Sequence, residues 1–206
     1  MISKILMTLA VIVSVGAAAS WAHESRPQAQ GNTARAPKPV IADEQAARKY
    51  FTDLPLFTQD GKPVRFYTDV LRDKVVLISF VYTECKDACP ILTQKLTRVR
   101  DLLEGQLGKP IHFVSISLDP KRDTPAALRE FARRHQAYHD GWVFLTGEPE
   151  NVNLIIRKLG QYTADLESHT TLMLAGNVKT AHWMKIPPTA PPMAIAEKLR
   201  GLARDG

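Results

Sequence analysis

Val75-Val76-Leu77-Ile78-Ser79-Phe80-Val81-Tyr82-Thr83-Glu84-Cys85-Lys86-Asp87-Ala88-Cys89-Pro90 is the stretch on which the reading of this chain turns. Its opening, Val75 to Tyr82, is a continuous β-branched and aromatic run, the pattern of a strand buried on both faces. Pro90 stands where a first helical residue is favoured, and Leu92, Leu96, Val99, Leu102, Leu103 and Leu107 follow at helical spacing until Gly108 and Pro110. Both cysteines of the 206-residue chain therefore fall between the carboxyl end of a buried strand and a helix N-terminus, where open α/β sheets carry their sites. A helix start offers partial positive charge and free N–H groups, and Lys86 adds a cation, so the location favours thiolates.

Downstream, strands and helices alternate. Ile111 to Leu118 reads as a second strand, Thr124-Pro125 opens a helix to about His135, Trp142 to Leu145 forms a third strand, and Pro149 to Leu159 a further helix. Thr170 to Leu174 and Val178 to Trp183 are expected to make an antiparallel hairpin around the turn signal Ala175-Gly176-Asn177. Pro187 to Pro192 bars regular structure, and Ala194 to Ala203 supplies a last helix. The series describes an α/β sandwich with a mixed central sheet flanked by helices.

Upstream, Lys4 precedes the apolar run Ile5 to Val15, and small residues lead to Ala19-Ser20-Trp21-Ala22. A charged start, an apolar core and a small-x-small ending mark residues 1–22 as an export signal cleaved after Ala22. The apolar run is shorter than the roughly 20 residues that span a bilayer, so a membrane anchor is the weaker reading. Residues 23–40, rich in Gln, Ala, Pro, Arg and Gly, have too few apolar groups to build a core and read as a flexible leader. Residues 41–206 are left as one domain, expected in the periplasm, soluble or at most tethered. With 45% hydrophobic and 23% charged residues, this length builds one core without subdivision. The formal charge of +6 comes from basic residues scattered among acids, without the basic block or aromatic interleaving that nucleic-acid binding requires.

Paired thiolates in this position suit either thiol-disulfide exchange or a soft metal, and a metal asks for a third donor. The six histidines, His23, His112, His135, His139, His169 and His182, are the available donors, and spacing alone does not choose among them. His169 stands out because it follows the polar segment Asp165-Leu166-Glu167-Ser168 immediately before a strand. A structural disulfide is the plainer alternative, although closing so short a loop removes little chain entropy.

Several motifs in order now carry a resemblance: the strand leading into Thr83-x-Cys85-x-Asp87-x-Cys89-Pro90, then Ser117-Leu118-Asp119-Pro120-Lys121-Arg122-Asp123-Thr124-Pro125, then Trp142-Val143-Phe144-Leu145-Thr146-Gly147. Together with Leu56 to Val64 they resemble the Sco/SenC family from about Leu56 to the C-terminus. The resemblance implies a thioredoxin-like fold in which Cys85, Cys89 and His169 hold one copper ion. It implies a metallochaperone that takes copper from a donor and serves a copper-accepting protein such as cytochrome c oxidase subunit II, by donating the metal or by reducing the recipient's cysteines. Asp87 and Asp119 match acidic motif positions and are assigned supporting parts. Lys86 departs from the proline of many relatives, and Glu167-Ser168-His169-Thr170 departs from the usual Asp-His-Ser.

The rival reading is a metal-independent periplasmic thiol-disulfide oxidoreductase, with Cys85 and Cys89 as its redox pair. Against a general one, the spacing is Cys-x-x-x-Cys, and no proline lies between Leu159 and Leu174, where thioredoxins carry one. A peroxiredoxin would need Thr-x-x-Cys, and Thr83-Glu84-Cys85 is one residue short.

Overall fold

The computed structural model describes residues 43–163, 165–166 and 171–205. The expected export signal, the leader and His169 lie outside the described residues. Among the described residues the elements run α1 (Glu44–Phe51), β1 (Pro55–Thr58), β2 (Pro63–Arg65), a π-helical turn (Phe66–Leu71), β3 (Val75–Val81), α2 (Ala88–Leu102), β4 (Ile111–Ser117), α3 (Pro125–Arg134), β5 (Trp142–Thr146), α4 (Pro149–Lys158), β6 (Met173–Asn177), β7 (His182–Ile186) and α5 (Pro192–Arg204).

The strands form one sheet in the order β2-β1-β5-β4-β3-β6-β7. β3, β4 and β5 run parallel, joined by α2 and α3, whereas β1 and β6 flank them antiparallel and β2 and β7 close the two edges. Every residue of β3 is buried, which is why its sequence lacks alternation. The pleat nevertheless sorts its side chains by turns to opposite faces. Val75, Leu77 and Val81 join the core beneath α2, α3 and α5, which includes Leu96, Leu128, Phe131 and Leu199. Val76, Ile78 and Phe80 join the other, beneath α1 and α4, with Phe51, Val152 and Ile155. This is the mixed sheet and helical cover of a thioredoxin-like fold.

The expected bounds of α2 and of the hairpin turn require correction. α2 stops at Leu102, well before the Gly108 and Pro110 breakers, because Leu103 caps it and Glu104 and Gly105 turn into positive φ at 51° and 82°. Leu107 keeps its hydrophobic role, buried in the α2-side core, but through a bridge to Ile111 and not through a helix. The hairpin turn is also displaced. Ala175, Gly176 and Asn177 lie inside buried β6, and the chain reverses at 178–181 with Ala181 at φ 56°. Gly176 is tertiary in purpose, since a Cβ there would meet the Trp183 ring at 2.3 Å. Asn177 does turn the chain, but from the strand: its side-chain oxygen accepts the Lys179 N–H at 3.0 Å while its amide donates to Leu202 O at 2.9 Å.

Elements upstream of β3 were not assigned from sequence. α1 begins after Asp43, whose carboxylate accepts the Gln45 N–H. The hairpin β1–β2 turns at Asp60 and Gly61. Asp53 ties this region together, accepting from Arg48, Arg65 and Thr68, and these bonds overcome burial to hold its carboxyl well below the usual range. The core also holds a polar triad: Ser79 and Ser115 hydroxyls lie 2.9 Å apart, and the Trp142 indole N–H donates to Ser115 at 3.0 Å. Each of these three buried polar groups thus finds a partner.

Candidate functional site

β3 and β4 are parallel neighbours that end together, and Leu118 N–H donates to Val81 O at 2.8 Å just past their ends. At that edge the chain leaves β3, passes through Tyr82, Thr83 and Glu84, and delivers Cys85 before α2 begins. Cys85 N–H donates to Tyr82 O at 3.2 Å, curling the loop, and Ile91 N–H reaches Asp87 O at 3.3 Å, starting the helix. Asp87 occupies the N-cap position but its side chain makes no cap bond and is exposed. That leaves first-turn N–H groups for other acceptors, and Cys89 N–H takes Cys85 Sγ at 3.3 Å.

Neither cysteine is in a disulfide, and both are buried, Cys85 at 9% exposure and Cys89 at 1%. Their acidities diverge. Burial works against the Cys85 thiolate, but the Cys89 backbone N–H, the Cys89 thiol, the Asp87 backbone N–H and the Tyr82 side chain together bring its pKa below the ordinary value. Burial pushes the Cys89 thiol far upward, opposed by the Tyr82 backbone and reinforced by the neighbouring Cys85 and Asp123. The Lys86 cation expected to help is exposed and is not among the largest causes. Hydrogen bonding at a helix start thus dominates over side-chain charge here.

Asp123 lies beneath the loop. Its Oδ1 accepts the Thr83 N–H at 3.0 Å and the Thr83 hydroxyl at 2.6 Å, and its Oδ2 accepts the Ser117 hydroxyl at 2.5 Å. Burial raises its pKa despite these three bonds. Asp119, assigned a supporting part, is buried with its N–H on Ser117 Oγ at 3.0 Å and its Oδ2 3.4 Å from Arg122 Nε. Sequence reasoning passed over Asp123, Thr83 and Ser117 as functional residues, although all three stood in the quoted motifs.

The four described histidines are remote from the cysteines. His112 pairs with Val76 and His182 with Asn177, each at the end of the sheet opposite the cysteine loop, and His139 precedes β5 at that same end. His135 caps α3 against the Phe131 ring. Among the described residues no group of three or more His, Cys, Asp or Glu side chains could hold a metal ion. The register of β6 points elsewhere: Ile78 faces Leu174, so β6 enters the sheet at the end where β3 leaves it. A cavity of about 570 Å³ between α1 and the β6–β7 edge contains neither cysteine.

The SCO1/SenC family model matches residues 42–204. The chain belongs to the SCO1/SenC family. Among curated SCO1/SenC relatives, it is similar to the SCO1 protein homolog of Bacillus subtilis, 35% identical over 89 residues, 43% of this chain and 45% of that protein. The chain thus spans about half the length of the first curated relatives it matches. Among solved structures, its fold is similar to the ScoI of Bradyrhizobium japonicum with copper bound, at a TM-score of 0.60 and 26% identity, covering 72% of this chain and 96% of that one. It is also similar to BsSco, a member of the Sco family of cytochrome c oxidase assembly proteins in which a disulfide switch was identified, at a TM-score of 0.62 and 22% identity, covering 73% and 91%.

Proposed function

We propose that this SCO1/SenC protein is an exported metallochaperone that takes up one Cu(I) ion on Cys85, Cys89 and His169 and passes it to a copper enzyme such as cytochrome c oxidase. The observation that carries the reading is the reduced, adjacent thiol pair in which Cys85 Sγ accepts the Cys89 N–H at a helix start. Soft sulfur donors favour Cu(I), so the donor set fits the ion. The copper-bound ScoI relative supports the same cargo. His169 completes the set in this proposal, supported by the entry of β6 at the cysteine end of the sheet and by the remoteness of the other described histidines. Residues 1–22 would direct export to the periplasm, and residues 23–40 would act as a leader to the domain beginning at residue 41. No helix among the described residues is long and apolar enough to cross a membrane.

Uptake needs both thiols deprotonated, and the chain prepares them unequally. Cys85, whose pKa lies below the ordinary thiol value, gives up its proton the more readily, and Cys89, raised by burial, gives up its own to solvent only as the ion compensates the buried charge. Transfer then proceeds by exchange of sulfur and imidazole donors between the two proteins. Oxidation of the pair to a disulfide abolishes uptake, linking cargo to redox state.

The unequal acidities also favour a second reading, reduction of the recipient's cysteines. Cys85 thiolate attacks the recipient's disulfide and releases one thiolate, which takes up a proton; Cys89, giving up its proton, displaces the second and forms the Cys85–Cys89 disulfide. Two electrons pass to the recipient, leaving it as a dithiol.

An anaerobic Cu(I) titration of the reduced, signal-less protein against a competing chelator tests the first reading. One ion bound, with affinity lost in Cys85→Ser and weakened in His169→Ala, is expected. Wild-type binding no tighter than that of Cys85→Ser removes copper from the assignment, and normal affinity in His169→Ala removes that histidine.

A further inference from the structure

Asp123 is 1% exposed, and among the described residues no cation forms an ion pair with it. A buried carboxylate in that situation is costly unless hydrogen bonds satisfy it. Its bonds run in two directions. Two go to the backbone and hydroxyl of Thr83, two residues before Cys85, and one goes to Ser117 at the end of β4. Asp123 is itself held, its N–H on Asp119 O at 2.9 Å, and the next residue, Thr124, caps α3 by accepting the Ala127 N–H. The carboxylate therefore joins a rigid strand end and helix start to the otherwise irregular stretch from Tyr82 to Cys85.

We propose that Asp123 is a positioning residue for the cysteine pair. By gripping Thr83 it fixes where Cys85 emerges from β3, and so holds Cys85 Sγ against the Cys89 N–H in the dithiol form that accepts the ion. The inference rests on the reading of Cys85 and Cys89 as the functional dithiol. Thr83 acts in the same device: its hydroxyl bond at 2.6 Å sets the side chain, while its N–H bond at 3.0 Å sets the backbone. Both converge on one oxygen, which leaves the loop little freedom to drift from β4. Bonds of this charge-assisted kind are the strong ones, and losing them releases the loop without touching either sulfur.

The test uses two readouts on wild type, Asp123→Ala, Asp123→Asn, Thr83→Val and the Asp123→Ala/Thr83→Val pair. The first is the exchange of the dithiol with oxidised glutathione, which yields the Cys85–Cys89 disulfide and two reduced glutathiones. The second is the Cu(I) titration against a chelator. Asp123→Ala is expected to shift the exchange toward the disulfide by about tenfold and to weaken Cu(I) binding by about the same factor. Thr83→Val should move both the same way by less, and the pair no further than Asp123→Ala alone. Asp123→Asn keeps an oxygen for Thr83 and should stay within about threefold of wild type. A lowered melting temperature in Asp123→Ala with both readouts unmoved assigns the residue to stability alone and overturns the proposal. Should that variant fail to fold, an unmoved glutathione equilibrium in Thr83→Val overturns it equally. If wild type takes up no Cu(I), the metallochaperone reading fails while the glutathione exchange still decides the positioning role.

Discussion

The backbone N–H of Cys89 donates to Cys85 Sγ at 3.3 Å, closing the first turn of α2 onto the sulfur that precedes it. One thiol is thereby a hydrogen-bond acceptor at a helix start, and the other lies beneath it at 1% exposure. The two cysteines are chemically unlike although four residues apart.

Alkylation should report that difference. With iodoacetamide at neutral pH, Cys85 is expected to react about tenfold or more faster than Cys89, as read by peptide mass spectrometry of the reduced protein. The pH midpoint for Cys85 should fall below the ordinary thiol value and that for Cys89 above it. Equal rates at the two positions would show that the hydrogen bond does not govern reactivity in solution.

Trp183 and Gly176 are paired across β6 and β7, with the indole lying where a Cβ at 176 would stand, 2.3 Å from its Cδ2. Gly176→Ala is expected to cost about 1–3 kcal/mol by overpacking. In Gly176→Ala/Trp183→Ala the two losses should sum to less than their separate values, since the second change clears the space. Urea unfolding measures all three, and strict additivity would mean that the ring does not rest on the glycine.

His112 ties stability to pH. Burial and the neighbouring Lys74 hold its pKa down to about 4, against an ordinary 6.5. Between those values the unfolded imidazole binds a proton that the folded one refuses, so acid favours unfolding. The contribution is fully present above about 6.5 and is lost as pH falls toward about 4. Removal by His112→Gln should therefore leave a variant whose stability, relative to wild type, improves between pH 7 and pH 4.5 in urea unfolding. A difference that stays constant across that range would rule the linkage out.

The legible parts of the fold were those whose signal is local. β3 announced itself as an unbroken apolar run because all of its residues are buried, and α3 announced its start because Thr124 and Pro125 are cap and first-turn residues by chemistry. Pro192, read as part of a structureless stretch, is the first residue of α5, where its missing N–H leaves no bond unmade. Ala175-Gly176-Asn177 misled because a glycine beside an asparagine is the usual turn signature, and only the ring of Trp183 explains a glycine inside a strand.

Residue order alone carries the alternation of strands and helices, the position of both cysteines between a strand end and a helix start, and the motifs that mark the SCO1/SenC family. These follow from periodicity and from residue chemistry over a few neighbouring positions. Tertiary structure alone decided that Asp123 grips Thr83 from forty residues away, that Cys85 and Cys89 differ in acidity, and that His112, His139 and His182 face away from the cysteine loop. Each of those depends on which strand lies beside which and in what register. Parallel pairing of β3 with β4 is a long-range choice made by burial of both sheet faces, and no local run of residues encodes it.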